Sequence, residues 1–595
     1  MKPGRVSILV KSFAVIVLLA FIASPLSSPA IAEPDATINV NINTDGVDFF
    51  PGDGVCEVAL GTGECSLRAA IMEANFDPNA DIINLPAGIY HLTILGADEN
   101  NCETGDLDIT ESLTILGDKA GATIIDAEGL GDRVLQILNA AGSFSISHTQ
   151  IQHGMTNANG GGISTVASLI LSHVTIYDNR ALAGGGIIST GNLNIIDSNI
   201  SDNVADLTGG GVLVLSDGAQ VEIINTHIMN NTGTAASGGG ISTLGTFISI
   251  KNSYIAHNNS PSGAGILNEN GSVTLENIIF EDNNASDSGG GIRNRGAGII
   301  TGHDVRFNLN NAVELGGAIY NEAGNIQLSR SVFSNNSVSA GGGGAIANDF
   351  DSILVLTDST ISNNTVSNFG GGLSNVGTVY LRGVTVNANQ SQNGGGVANA
   401  GTIHLENSTI SGNQVSINGG GIYNMGTSNS FNSTIAANLA SSDNPIGVGG
   451  GVYNIPGSFF NFRNTILYGN HRREVSDVDD DCAGTLITGH NNLIGTLTGC
   501  SLTPDQQFDY IGQDPLLGTL SDNGGPTLTH ALLPGSPAID SANNHGCVDH
   551  LDNLLTYDQR GHLRHWDGNA DGAARCDIGA YEYPRSVLFL PLTQK

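Results

Sequence analysis

The sequence predicts an all-β protein: a right-handed, single-stranded parallel β-helix of about twelve or more coils, with a short N-terminal capping helix and a small C-terminal domain. Three observations predict it. Glycine clusters recur twelve times, starting at Gly160, Gly184, Gly209, Gly238, Gly263, Gly289, Gly316, Gly343, Gly370, Gly394, Gly419 and Gly449, at steps of 24 to 30 residues. Three places after each start stands Ile, Val or Leu, and in the last eight copies asparagine follows two places later: Asn268, Asn294, Asn321, Asn348, Asn375, Asn399, Asn424 and Asn454. A second signature, an apolar residue with asparagine three places on ("IYDN", "FEDN", "FSNN", "LYGN"), also occurs twelve times, its asparagines running from Asn179 to Asn470.

Taken from the N-terminus, residues 1–32 read as an export signal. Lys2, Arg5 and Lys11 precede the apolar run "FAVIVLLAFIA", and Ala30, Ile31 and Ala32 form a small-residue cleavage pattern ahead of Glu33. The run is short for a membrane span, and no transmembrane segment is expected after cleavage. Cleavage takes the formal net charge from −35 to −38. A surface this acidic repels nucleic acid and anionic membrane, and it attracts divalent cations. Seven cysteines, all at the two ends, fit an oxidising compartment. Local pairs Cys56–Cys65, Cys482–Cys500 and Cys547–Cys576 are expected, with Cys102 left over, although sequence alone does not fix the connectivity.

Residues 33–130 read as a cap and the first coils. In "CSLRAAIMEAN", Leu67, Ala70, Ile71 and Ala74 share one helical face and Ser66 is placed to cap it. A short amphipathic helix here closes the open apolar end of a β-helix, which otherwise exposes unpaired strand edges.

Residues 131–470 are the repeats. Between the two signatures lie short alternating runs such as "TIHLENSTI" and "SVTLENIIF", the pattern of brief strands. About three strands and three turns in about 26 residues is one coil of a parallel β-helix. Inward Ile and Val then stack into a core, and asparagines at equivalent turns stack too, each amide bonding the next coil. Twelve coils would span roughly 58 Å at the strand spacing of about 4.8 Å. The triplet in "NGGGIYNMG" (418–426) could cradle a phosphate if it stood alone. Twelve copies on so anionic a chain make it architecture instead. Propeller blades would need about 40 residues per unit, and helical solenoids a 3.6-residue period that is missing here.

Residues 471–595 differ again. "DVDDDC" (477–482) opens the region with what reads as a solvated charge cluster. "DGNADG" (567–572) sets Asp567, Asn569 and Asp571 at alternate positions before Gly572, the first half of a calcium loop. Position twelve is Ile578 rather than Glu, so Asp577 or Glu582 would have to complete a Ca2+ site. Asp45, Asp48 and Asp53 in "NTDGVDFFPGDG" offer a second, weaker set.

Several of these stretches resemble known families. "GGAIYN" (316–321), "GGAIAN" (343–348), "FEDN" (280–283) and "FSNN" (333–336) resemble the repeats of polymorphic outer-membrane proteins, which implies a right-handed β-helical surface passenger over roughly 150–470. "CSLRAA" (65–70) resembles the CSLREA-type motif of exported bacterial proteins, with Ala69 in place of its Glu. "DPLLGTLSDNGGPTLTHALLPGSPAIDSA" (514–542), "DQRG" (558–561) and "CDIGAYE" (576–582) resemble the choice-of-anchor Q domain, which implies a C-terminal domain beside a surface anchor. "LPLTQ" (590–594) is similar to a sortase signal but lacks its Gly, so sortase anchoring is not expected.

Catalysis is not expected. β-Helical polysaccharide lyases and glycosidases present paired carboxylates, or a basic residue beside calcium, on successive coils. The repeats here show no recurrent Asp pair, Arg293 and Arg295 read as isolated exposed turn residues, and the fifteen histidines show no metal-ligand spacing. The reading is therefore an exported structural or adhesive rod whose partner is an extracellular glycan or a surface protein. A polysaccharide lyase or glycoside hydrolase is the alternative.

Overall fold

The computed structural model describes residues 36–584, apart from 98, 236–237, 442–447, 474–476, 506 and 544–545. The export signal and "LPLTQ" lie outside the described residues.

One coil shows how the sequence becomes the fold. After the cluster at Gly419 come strand Ile422–Asn424, the longer strand Thr427–Phe431, strand Thr434–Ala436 and the short strand Leu439–Ser441. Each pairs in parallel with its counterpart one coil on: Ile422 with Val452, Thr427 with Phe459, Thr434 with Ile466, and Leu439 with His471. Stacking yields a glycine face, a long face, a third face and a narrow fourth ladder. The fold is a right-handed parallel β-helix, the hand that a twisted strand imposes on parallel crossovers.

Corners explain the punctuation. The chain turns through left-handed backbone at Gly419 (φ 68°), Asn432 (φ 50°) and Ala437 (φ 57°). Asparagine and aspartate tolerate that region better than other side-chain-bearing residues, and they recur along one corner at Asn225, Asn252, Asn277, Asp304 and Asp358. The first glycine of all twelve clusters has φ between 58° and 75°. In this coil the two successors keep the backbones close: a Cβ on Gly420 would sit 2.3 Å from the Gly450 carbonyl oxygen, and one on Gly421 2.6 Å from that of Gly451, although Ala264, Ala318 and Ala345 are accommodated at one of these places in three other clusters.

Inward residues form one apolar core running from Val40 to Ile494. Phe280, Phe307 and Phe333 stack in parallel within it at 4.7 and 4.9 Å. The cap helix spans Leu67–Ala74, and Ser66 Oγ accepts the Ala69 amide at 3.0 Å. Rather than amphipathic in place, it is buried on every side. Loops cover its outer face because its two charges have partners there. Arg68 donates to Asp45 and to the carbonyls of Cys102, Gly105 and Asp106. Glu73 accepts the Gly52 and Gly54 amides, both at 2.6 Å.

At the other end the signatures stop before the coils do. Strands Cys482–Thr488, Leu493–Ile494, Cys500–Thr503 and Tyr510–Ile511 continue the parallel stack, with Ile466 opposite Leu493 and Leu493 opposite Tyr510. Within "DVDDD", Asp480 and Asp481 are buried rather than solvated, because the end of the coil supplies amide donors to both. From about residue 512 the chain doubles back along the third face as a clasp, starting with the hairpin Leu517–Ser521/Thr529–Leu532. Leu532, Ile539, Ile578 and Tyr581 make a second small core against Ile466 and Leu493. No helix among the described residues is long and apolar enough to cross a membrane.

Candidate functional site

Two asparagine ladders run inside the coils. The eight asparagines from Asn268 to Asn454 are joined by seven Nδ2–Oδ1 hydrogen bonds of 2.7 to 2.9 Å. A longer ladder passes through the second signature, from Asn179 to Asn470. Asn283 shows its unit: its backbone N and its Nδ2 both donate to Asn310 Oδ1, at 3.2 and 2.9 Å, and its Nδ2 also donates to the Ile255 carbonyl. This ladder ends on Asp481, whose Oδ1 accepts from Asn470 while its other oxygen accepts the Thr496 amide. Burial pushes the Asp481 carboxyl up to about 6 against those bonds. Its signal in the sequence is asparagine in all twelve copies, against eight for the shorter ladder.

The three disulfides join Cys56–Cys65, Cys482–Cys500 and Cys547–Cys576, and Cys102 is a buried free thiol that burial pushes up to about 12. The loop of Asp567, Asn569 and Asp571 is exposed and closed on itself: Asp567 Oδ1 and Asn569 Oδ1 accept the Asp571 amide at 3.1 and 2.9 Å. Asp577 and Glu582, the acids that would complete a cation site there, are buried on other partners: the Asp540 and Tyr583 amides for one, Arg564 and the His565 amide for the other. Asp45 is held by Arg68, and Asp48 and Asp53 accept the amides of Phe50 and Val55.

One expectation about charged residues is corrected by the stacking. Arg293 and Arg295 lie on a strand, Ile292–Arg295, and bridge coils: Arg293 pairs with Asp287 and Glu322, and Arg295 with Glu269. Two histidines are gathered in space with acids: His153 with Asp126 and Glu128 of the preceding coil, and His550 of the clasp with its neighbour Asp549 and with Glu406 of a coil. At Asp126 burial raises the carboxyl, but hydrogen bonds from His153, the Glu128 amide and Gln152 hold it below its ordinary range.

An open cleft lies on the coils near the N-terminal third. His148 and His173 occupy successive left-handed corners, and their rings stack at 4.8 Å, nearly parallel. With Lys119, Thr175, Asp197, Asn199, Asn225 and His227 they line a cleft of about 540 Å3, the size range of ligand pockets. Asp197 is the single carboxylate in that lining.

At the clasp, the residues that carry the C-terminal resemblance are docking contacts. Gln559 donates to Thr385 and Thr527 and accepts from Thr409, Arg560 pairs with Asp558, and the Gly579 and Ala580 amides bond Asn464 and Thr434 of the coils. Arg564 reaches Glu582 on one side and Asn407 on the other.

Comparison with known proteins matches residues 330–349 to the Chlamydia polymorphic membrane protein repeat. No curated protein matches. Among solved structures, the crystal structure of pectate lyase Pel9A aligns over 91% of this chain and 98% of its own, at 12% identity and a TM-score of 0.19, which bears on neither activity nor substrate. The chain is a β-helical repeat protein with a repeat similar to that of the Chlamydia polymorphic membrane proteins.

Proposed function

We propose that this is an exported structural and adhesive rod that holds an extracellular glycan in the His148–His173 groove. The groove carries the reading. The two imidazoles, with Lys119, Thr175, Asn199 and Asn225, supply donors and acceptors for sugar hydroxyls. Hydrolysis would call for two facing carboxylates, and this lining brings one. Stiffness is supported by the ladders, since each coil is tied to the next through buried amides as well as strands. Surface location is supported by the export-signal pattern read in residues 1–32 and by the likeness to a membrane-protein repeat. The test is a glycan array on the full chain beside the variants His173→Ala and Asn199→Ala. The reading expects selective binding by the parent and at least about tenfold weaker binding by each variant, a loss of about 1.4 kcal/mol. A lyase assay on acidic polysaccharides with calcium runs alongside, and unsaturated products at catalytic rates would sink the non-enzymatic reading.

A further inference from the structure

The seam between coil and clasp assembles side chains that neither element holds alone. Glu406 ends the long-face strand Thr402–Glu406 and is 3% exposed. Its Oε2 accepts Arg382 Nε from the preceding coil at 3.0 Å. Its Oε1 faces the clasp and is hydrogen-bonded to His550 Nδ1. Asp549 brings a third ligand atom: one atom each from Glu406, Asp549 and His550 lie within 4.8 Å of one another. His404, two residues before Glu406 and so on the same face of the strand, sets its ring 4.1 Å from the His550 ring. The His404 Nδ1 is buried and has no hydrogen-bond partner.

Imidazole nitrogens mixed with carboxylate oxygens are the donors that borderline divalent transition metals select, whereas calcium takes oxygen alone. Charge also favours it. Two carboxylates stand against one guanidinium, and a divalent ion balances the surplus. We propose that Glu406, Asp549 and His550, with His404 beside them, bind a zinc-class divalent metal that ties the clasp to the β-helix. The ion takes the place of the proton shared by Glu406 and His550, and Arg382 keeps the second Glu406 oxygen turned away from it. Because the ligands lie 144 residues apart in sequence, the ion binds the docked chain and not the undocked one. Docking then becomes dependent on metal concentration.

The experiment uses the full chain, stripped with a chelator and titrated with Zn2+ by calorimetry. One equivalent should bind, and His550→Ala and Glu406→Gln should each weaken it by about tenfold to a hundredfold. His153→Ala, which disrupts the other histidine–carboxylate group, should leave that equivalent intact. Co2+ in place of zinc should give visible d–d absorption that His550→Ala abolishes. Far-UV circular dichroism checks that each variant is folded. If His550→Ala releases the clasp outright, His404→Gln serves instead, since it leaves the Glu406–His550 bond in place, and it should cost about fivefold or more. A parent chain that takes up no Zn2+ at about 100 µM, or an equivalent that survives both His550→Ala and Glu406→Gln, overturns the proposal.

Discussion

The middle of this β-helix and its two ends bury polar groups by opposite means. Between Asn179 and Asn470 the buried polar side chains are, Glu406 apart, neutral: serine and threonine hydroxyls, and asparagine amides most of which are bonded to copies of themselves. At the ends they are charged and bonded to unlike groups: Arg68 to Asp45, Arg560 to Asp558, Arg564 to Glu582. The disulfides follow the same division, all three lying outside the repeats. The cause is translational symmetry. An amide carries a donor and an acceptor, so it can satisfy its own image one coil away, and the pattern repeats without limit. A carboxylate or a guanidinium cannot, because its image repels it. A repeat built from amides therefore has no internal reason to stop. Termination is left to heterologous pairs at the ends, such as the Asp481 carboxylate that closes the longer ladder.

The largest break in this contrast should come from Arg68. Replacing it with Met leaves Asp45 and three carbonyls buried without their donor. We expect a loss of about 3–5 kcal/mol from the cap, read by urea unfolding, with early hydrogen exchange confined to residues near the N-terminus. Next comes a charge placed inside a ladder. Asn310→Asp turns an oxygen toward Asn336 Oδ1, where Nδ2 donated at 3.0 Å. It should cost about 3 kcal/mol at pH 8, and more than Asn310→Ala, which only removes the bonds. Equal losses from the two variants would mean that self-complementarity does not matter there.

The pH dependence sharpens the same comparison. Burial, reinforced by Asp108 and Asp132, pushes Asp106 up to about 8, and burial with Glu99 nearby pushes Asp108 up to about 7. A carboxyl raised in the folded state contributes stability that is fully present below its unfolded value near 4 and is lost as pH rises through the folded value. The cap should therefore weaken progressively as pH rises from 4 to 8. Asp106→Asn should flatten that slope in thermal melts and leave the amide-built middle unaffected. The smallest effect is expected at the exposed loop around Asp571. Asp571→Asn removes the carboxylate that accepts the Ala573 amide at 2.8 Å, keeps an acceptor in its place, and should shift stability by no more than about 0.5 kcal/mol. A rise in melting temperature with millimolar Ca2+ that the variant loses would instead assign a cation to that loop.

The cap and the clasp also mark where sequence reading ran short. The helix at Leu67–Ala74 was legible from its apolar spacing and its Ser66 cap, but its complete burial was not, because loops from elsewhere in the chain cover its outer side. Repeats ended by signature at Asn470, yet coils run on to Ile511, since inward apolar residues alone sustain the stack once Asp480 and Asp481 take up the open amides. Of the candidate site, nothing in the order of residues pointed to the His148–His173 groove. The two histidines are 25 residues apart in sequence and meet only because that interval is one coil.

By itself the sequence determined what is periodic. A glycine recurring every 24 to 30 residues with an apolar residue three places on dictates a corner, a core position and hence a coil. These are local requirements of backbone conformation and burial, and every copy states them again. Tertiary structure decided what occurs once. The joining of Glu406 to His550, the turning of the clasp back along the third face, and the pairing of Arg68 with Asp45 are contacts between distant segments. No local rule of propensity or spacing specifies such a contact, because its partners are chosen by which surfaces remain unpaired after the coils have stacked.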